Sequence, residues 1–468
     1  FVRVDCYNEP STLYKGDNRE LKKQNKNKIK RSTTRLVALG FALIIVIGTM
    51  LLSLPISVRS GQPNIMNALF TATSATCVTG LIVADTYQNW TTFGIIVIFT
   101  LIQIGGLGFM TIGVYISIIL KKKIGLKQRE NLQESVNSME IAGVVRLARK
   151  IVQGTFLIEG IGALLLSTRF IPRFGLQRGI AFSIFHAVSA FCNAGFDLMG
   201  YEEAYASLVS FEGDVLVNMV VMFLILTGGI GFIVWDDLIR NKWHFKKYLL
   251  HTKIVLTFTI GLTVIATIAF LVLENHGVLA GLTPVEKALG AAFCSVTPRT
   301  AGFNTTDVAG LSNAGKLLTI LLMFIGGSPG STAGGAKTTT IVVLLLYAVA
   351  MIRNHEDINL FGRRLTDDVV KKANAVVVTN FMLAALAAVI IMAMQPFDMA
   401  DVLLEVFSAI NTVGMSTGIT RDLNTVSRLI LIVLMYCGRL GSLSFALVFA
   451  QKNTSDTIRL PQEKIIVG

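Results

Sequence analysis

The chain has 468 residues, of which 53% are hydrophobic and only 15% charged, and its mean hydropathy is +0.63. Soluble domains carry about 25% charged residues, so the composition argues against a soluble multidomain enzyme. The 42 Lys and Arg against 29 Asp and Glu give a net charge of +13. These bases punctuate long apolar runs and do not cluster on a polar, aromatic-bearing surface, which speaks against a nucleic-acid partner and for a polytopic membrane protein.

Residues 1–35 are polar and hold ten Lys or Arg, unlike a signal peptide. They are expected to form a basic cytoplasmic tail near anionic lipid. A hydrocarbon core about 30 Å thick takes roughly 20 apolar helical residues. Eight runs meet that length, at about 36–58, 91–120, 151–171, 215–239, 253–274, 315–352, 373–395 and 426–450. Within each successive pair lies a shorter apolar stretch, at 66–79, 180–194, 286–301 and 401–413. These are too short to cross and are expected to be re-entrant, a conformation tolerated at membrane depth only against protein or water.

The four short stretches are copies. They end Thr76-Cys77-Val78-Thr79-Gly80-Leu81, Phe191-Cys192-Asn193-Ala194-Gly195-Phe196, Pro298-Arg299-Thr300-Ala301-Gly302-Phe303 and Ile410-Asn411-Thr412-Val413-Gly414-Met415. The glycines are 115, 107 and 112 residues apart. The following apolar run carries a second glycine signature each time, at Gly105-Gly106-Leu107-Gly108, Gly228-Gly229-Ile230-Gly231, Gly326-Gly327-Ser328-Pro329-Gly330 and Gly438-Arg439-Leu440-Gly441. Two motifs recurring in one order define a repeat. The expected fold is an all-α membrane protein of four tandem helix–pore loop–helix repeats around one pseudo-fourfold pore. Its expected divisions are the tail 1–35, repeat 1 over 36–120, a cytoplasmic linker and repeat 2 over 121–239, repeat 3 over 240–352, repeat 4 over 353–451 and a cytoplasmic tail 452–468.

An even number of spans puts both termini on one side. Thirty-one Lys and Arg fall on that side and nine on the other, which predicts a cytoplasmic location for both ends in a multi-pass protein of the cell membrane. The outer cluster Arg169, Arg173 and Arg178 goes against this pattern and is left unexplained.

Glycine reaches backbone angles closed to other residues, so successive carbonyls can point the same way. Carbonyls from four such strands can replace the water shell of a cation. The candidate filter residues are Val78, Thr79, Gly80, Asn193, Ala194, Gly195, Thr300, Ala301, Gly302, Thr412, Val413 and Gly414. A single such glycine more often allows only a tight turn; four in register favour a filter. Outer acids, among them Asp85, Asp197, Glu202, Glu212, Asp214, Glu274 and Asp401, would concentrate cations at the mouth. Only Glu159 is a candidate carboxylate deep in a span, which argues against a proton-relay pump. His186 reads as a packed or bonded histidine. Arg299 is expected outside or behind the filter, bonded to carbonyls or an acid.

The segment Gly326, Gly327, Ser328, Pro329, Gly330, Ser331, Thr332, Ala333, Gly334, Gly335, Ala336, Lys337 cannot hold a continuous helix and must line a cavity. Gly330 to Lys337 is one residue too long for a phosphate loop, and no strand precedes it. It is expected to act as a gate below the filter. Arg439, a charge at membrane depth in the matching run of repeat 4, is expected to anchor it or to act as an electrostatic barrier. Lys337 is read equally as a structural cation bonded to carbonyls.

With these pieces assembled, the chain from about residue 36 onward resembles the pore-forming membrane subunits of Ktr-type potassium uptake systems, in the Ktr/Trk/HKT superfamily. The resemblance implies that Gly80, Gly195, Gly302 and Gly414 form the filter, with potassium held there, that 326–337 is the intramembrane gate, and that Arg439 faces it. It further implies a homodimer with one pore per protomer on a separate cytoplasmic nucleotide-binding ring. In this family a serine at the first filter glycine goes with sodium permeation, and here all four positions are glycine. Lys464 to Gly468 is similar to the family's apolar C-terminal tail. No strand-linked G-x-G-x-x-G appears, and no cofactor is expected in this chain. The competing expectations are a sodium-coupled symporter of a small solute, which needs inverted repeats and broken helices, and a less selective potassium/sodium channel. An integral membrane enzyme ranks last, for want of a nucleophile–base pair.

Overall fold

A computed structural model describes residues 35–120, 125, 132, 143–242, 244–355 and 357–441. The tails 1–34 and 442–468 lie outside these residues, and with them the expectations for both tails and for the end of the eighth span.

The first helix of each repeat is long and continuous through the apolar run. These are α1 (Arg35–Leu52), α5 (Val144–Phe174), α9 (Leu250–Leu273) and α13 (Asp367–Met394). Each is followed by a short helix: α2 (Ile65–Cys77), α6 (Leu176–Phe191), α10 (Pro284–Val296) and α14 (Met399–Ile410). Three of the short helices start on a side chain that satisfies the free amides of the first turn. Asn64 accepts from Met66 N and Asn67 N, Thr283 and Glu286 close a reciprocal capping box, and Asp398 accepts from Ala400 N. The fourth, α6, leaves α5 at Gly175, whose φ of +80° turns the chain back on itself.

The second helix of every repeat departs from the sequence expectation. The run 91–120 divides into α3 (Thr92–Leu107) and α4 (Phe109–Ile119). The run 215–239 divides into α7 (Val215–Gly229) and α8 (Phe232–Asn241), bent by 96°. In repeat 3, α11 (Asn313–Phe324) and α12 (Thr338–Ile352) flank the non-helical 325–337 segment. In repeat 4, α15 (Thr425–Leu440) stops at Gly441. The sequence marks an interruption at 326–337; the structure also breaks the runs of repeats 1 and 2 at the second glycine signature, and in repeat 4 the described helix ends there. Gly108, Gly231 and Gly441 share one conformation, at φ/ψ of 78/129°, 97/141° and 85/123°. That region is open to glycine and strained for other residues. Short, broken helices are sustainable at membrane depth because protein covers the freed backbone groups.

The repeats close into a circle. α3 packs on its own short helix α2 and on α6 of repeat 2. α7 packs on α6 and α10, α11 on α10 and α14, and α15 on α14 and back onto α2. Each closing helix thus sits between its own short helix and the next, and the outward faces stay apolar, with residues such as Leu39, Leu164, Ile265, Val272 and Leu386 exposed. Between α12 and α13 a small hairpin pairs Asn359–Leu360 with Arg363–Arg364 across Phe361-Gly362, both at positive φ, as a tight hairpin turn requires.

Candidate functional site

The four short helices deliver their C-termini to one place, where each chain turns out through the motif glycine. The turn has one backbone pattern in all four repeats. The glycine and the residue two before it are both left-handed: Val78 and Gly80 at φ 58° and 95°, Asn193 and Gly195 at 58° and 67°, Thr300 and Gly302 at 69° and 81°, Thr412 and Gly414 at 50° and 94°. Left-handed backbone costs a non-glycine residue roughly 1–2 kcal/mol, so four such valine, asparagine and threonine residues mark a conformation imposed by the surroundings. All twelve residues named from the sequence line this turn, and the eight non-glycine ones are buried.

The glycines form a closed ring. A Cβ added to Gly80 would lie 2.5 Å from the Ala194 carbonyl oxygen, one on Gly195 2.8 Å from that of Ala301, and one on Gly302 2.6 Å from that of Val413. On Gly414 it would overlap the Thr79 oxygen more closely still, which completes the circuit from repeat 4 to repeat 1. Each glycine is required because the neighbouring repeat's carbonyl occupies the space of a side chain.

Hydroxyl groups that the sequence reading passed over hold the turns. Ser74 Oγ accepts Gly80 N–H at 3.1 Å and Ser408 Oγ accepts Gly414 N–H at 3.0 Å. Ser189 Oγ donates to the Phe196 carbonyl at 2.7 Å, and Thr297 donates to that of Phe303. The signal was present as a hydroxyl five or six residues before each glycine. The C-terminal ends of the short helices carry partial negative charge from aligned peptide dipoles, which suits a cation at the ring.

The 325–337 segment reaches from repeat 3 to repeats 2 and 4. Ser328 N–H donates to Gly229 O at 2.9 Å, and Phe232 N–H donates to Gly330 O at 2.8 Å. Thr332 Oγ1 donates to Phe191 O at 3.2 Å and lies 3.3 Å from the Asn193 amide. Ala336 N–H approaches the Asn411 side chain at 3.4 Å, and Gly334 has no room for a Cβ against Thr412. Its own ends are tied by Gly326 N–H to Ala336 O at 2.8 Å. Gly330 and Gly335, at φ 68° and 67°, supply its turns. The segment therefore abuts residues two to four places before the ring glycines of repeats 2 and 4.

Arg439 completes the set. It stands where Gly106, Gly229 and Gly327 stand in the other repeats. Its guanidinium donates to the carbonyls of Thr332 and Gly105, and to Gly106 O at 3.3 Å. One side chain of repeat 4 thus joins the segment of repeat 3 to the helix break of repeat 1. Lys337 Nζ donates within its own segment, to Ala333 O at 2.8 Å and Gly334 O at 3.2 Å.

Other sequence expectations divide. Arg299 lies buried behind the ring, but its Nη2 donates to Thr259 Oγ1 of α9 at 3.1 Å. The expected carbonyl or acidic partner is replaced by a hydroxyl, because α9 presents threonine there. His186 is buried and bonded through both nitrogens, to Phe182 O at 2.8 Å and Leu198 N at 3.3 Å. Glu159 is buried and accepts from Gln103 at 3.2 Å, with Cys192 Sγ 3.8 Å away. The basic cluster finds acids on the same side. Arg169 pairs with Asp214 at 3.2 Å, and Arg173 pairs with Glu202 at 2.7 Å while covering the Phe211 ring. Arg178 donates to Tyr201 Oη at 2.7 Å. Asp85, Asp197 and Glu274 are buried and so are not part of a solvated acidic rim. Asp85 caps Tyr87 and Gln88 and accepts Tyr205 N–H at 2.9 Å. Burial and the neighbouring Asp85 push the Asp197 carboxyl up to about 7.

Four parallel repeats with broken helices, closed around one ring of backbone, define a multi-pass membrane transport protein. The chain belongs to the TrkH family of cation transport proteins, whose model matches residues 18–460, and so to the transporters, not the enzymes. It is 43% identical to Ktr system potassium uptake protein B of Bacillus subtilis over 94% of this chain and 98% of that one. It is 41% identical to the potassium/sodium uptake protein NtpJ of Enterococcus hirae, covering 93% and 97% of the two chains. Among solved structures, the potassium transporter TrkH of Vibrio parahaemolyticus shares the fold, with a TM-score of 0.70 at 19% identity over 90% of this chain and 85% of that one.

Proposed function

We propose that the chain is the pore of a potassium-uptake system, in which the glycine ring is the selectivity filter and the 325–337 segment is the gate. The observation that carries this is the closed circuit of Gly80, Gly195, Gly302 and Gly414, each packed on the carbonyl before the next. Carbonyls of Val78, Thr79, Asn193, Ala194, Thr300, Ala301, Thr412 and Val413 then replace the hydration shell of potassium, and the short-helix dipoles favour its charge. Ions pass down their electrochemical gradient when the segment leaves the face of the ring. Arg439 holds it closed and places a positive charge on the path.

Both termini are assigned to the cytoplasm from the excess of Lys and Arg on that side. Two such chains form a homodimer, seated on a separate cytoplasmic nucleotide-binding ring that drives the gate. The relatives named for Ktr systems support this assembly. The potassium/sodium name of the Enterococcus relative favours a second reading, a less selective cation pore. Small-solute symport is less well served: broken helices are present in repeats 1 to 3 among the described residues, but the repeats are parallel and meet in a continuous backbone ring. The test is ion uptake in cells lacking their own potassium uptake, with and without a ring partner. Potassium or rubidium uptake that sodium competes for weakly is the expected result. Solute uptake without saturable potassium flux would refute it.

A further inference from the structure

Nine residues before each ring glycine, the short helices carry Thr71, His186, Phe293 and Glu405, all buried. These positions differ in chemistry although the turns after them share one backbone. In two repeats the side chain reaches the strand that leaves the ring. His186 Nε2 accepts the N–H of Leu198, the third residue after Gly195, at 3.3 Å. Glu405 accepts the hydroxyl of Thr420, the sixth residue after Gly414. Thr420 Oγ1 is 2.9 Å from Ser416 Oγ, which accepts Gly418 N–H at 2.9 Å. Glu405 therefore ties a whole loop, 416–420, to the helix that supplies the ring. Repeats 2 and 4 are not neighbours in the circuit, so the two braces stand across from each other.

A buried carboxyl behind a pore turn is costly unless it has work to do. Glu405 is 1% exposed, and its Oε2 has no hydrogen-bond partner among the described residues. The acidic neighbour on its own helix, Asp401, is held by Lys316 of α11 at 2.9 Å, which leaves Glu405 to the 416–420 loop. Beyond that loop Arg421 stacks on the Tyr205 ring of repeat 2 at 4.3 Å, and its Nε donates to Gly418 O at 3.2 Å. The exit strand of repeat 4 is thus pinned from behind by Glu405 and at its end by Arg421.

We infer that Glu405 is a positioning residue for ion selectivity, fixing the exit strand of repeat 4, and through it Gly414, by way of Thr420 and Ser416. This rests on the assignment of the ring as the filter. A ring that discriminates between cations of different size or dehydration cost needs its carbonyls held. One corner is set by Ser408 on Gly414 N–H, and Glu405 sets the strand beyond it.

The test measures sodium competition against rubidium uptake, in cells lacking their own potassium uptake, with the full-length chain and its amount in the membrane checked by immunoblot. Glu405→Ala and Thr420→Val should each raise sodium's effectiveness as a competitor about fivefold, the effect of one lost hydrogen bond. The double variant should do no more than Thr420→Val alone, which removes the bond to Glu405 and also the contact with Ser416. Glu405→Gln keeps an acceptor and should restore the wild-type ratio. An unchanged ratio in Thr420→Val would overturn the inference, and that variant decides the matter if Glu405→Ala fails to accumulate. Gly414→Ser separates the two levels. If it removes uptake or shifts the ratio while Thr420→Val leaves the ratio unchanged, only the role of Glu405 fails; if uptake and ratio both stay as in the wild type, the filter assignment itself fails.

Discussion

The two halves of the molecule treat the same repeat differently. At the ring, four copies keep one backbone although their residues differ: valine, asparagine and threonine all adopt the left-handed angle two places before the glycine. At the helix breaks the copies diverge. Three keep a single glycine in one conformation, and repeat 3 inserts a segment that contacts repeats 2 and 4 and is joined to repeat 1 through Arg439. A ring requires equal corners, because each glycine is packed on the next repeat's carbonyl. A gate of the kind proposed requires one repeat unlike the rest, since four identical gates would have to open together. The symmetric half is accordingly built from backbone, and the asymmetric half is tied by side chains: Thr332, Lys337 and Arg439.

The largest effect is expected at the ring. Gly414→Ala combines a left-handed φ of 94° with a Cβ driven into the Thr79 carbonyl. Two strained terms of about 1–2 kcal/mol or more each should cut uptake on the order of a hundredfold. Gly261→Ala is the matched control, since nothing lies within 4 Å of its added Cβ. There the change should stabilise by about 0.5–1 kcal/mol through lower unfolded-state entropy. Rubidium uptake and thermal melting in detergent read the pair. Near-normal uptake by Gly414→Ala would break the claim that the ring has no slack.

Arg439→Gly tests the other half by restoring to repeat 4 the glycine that repeats 1 and 2 carry at that place. It frees the Thr332 and Gly105 carbonyls and removes a positive charge from the proposed path. A charged hydrogen bond contributes about 1.5–3 kcal/mol, so uptake should rise about tenfold or more while the sodium-to-potassium ratio stays as it was. A changed ratio would show that the segment also shapes the ring, and the contrast between the halves would fall. Thr332→Val, which loses the neutral bond to Phe191 O, should raise uptake only about fivefold or less.

Much of this was legible in the sequence for a physical reason. Repetition of a glycine that only glycine can occupy leaves a fixed spacing, so the ring, the 325–337 segment and the opposing Arg439 all stood out. The breaks at Gly108, Gly231 and Gly441 were hidden because the residues around them, such as Gly105-Gly106-Leu107, are as apolar as a continuous span, and hydropathy does not register φ. Ser74, Ser189, Thr297 and Ser408 were missed because hydroxyls are common in such helices and their bonds depend on tertiary placement. Glu405 escaped notice because its sequence neighbours Asp398 and Asp401 read as a solvated rim, whereas it faces the 416–420 loop.

The smallest effect concerns the strand that leaves the ring in repeat 2. Asp197 follows Gly195 by two residues and accepts Met199 N–H at 2.9 Å. Its carboxyl is raised from 3.8 to about 7 by burial and by Asp85. The sign follows directly: folding favours the protonated form, so this contribution to stability is full below pH 3.8 and is lost as the pH rises to about 7. Asp197→Asn should therefore melt higher than the wild type at pH 8, and the gap should shrink as the pH falls toward 4. A gap that does not change with pH would mean that Asp197 is ionised throughout. Its uptake should change little below pH 6, where the wild-type group is already neutral, and should fall modestly at pH 8, where a negative charge beside the ring raises the local cation concentration. A corner of the ring that responds to pH while the other three do not would place a departure from fourfold symmetry at the ring itself, apart from the 325–337 segment.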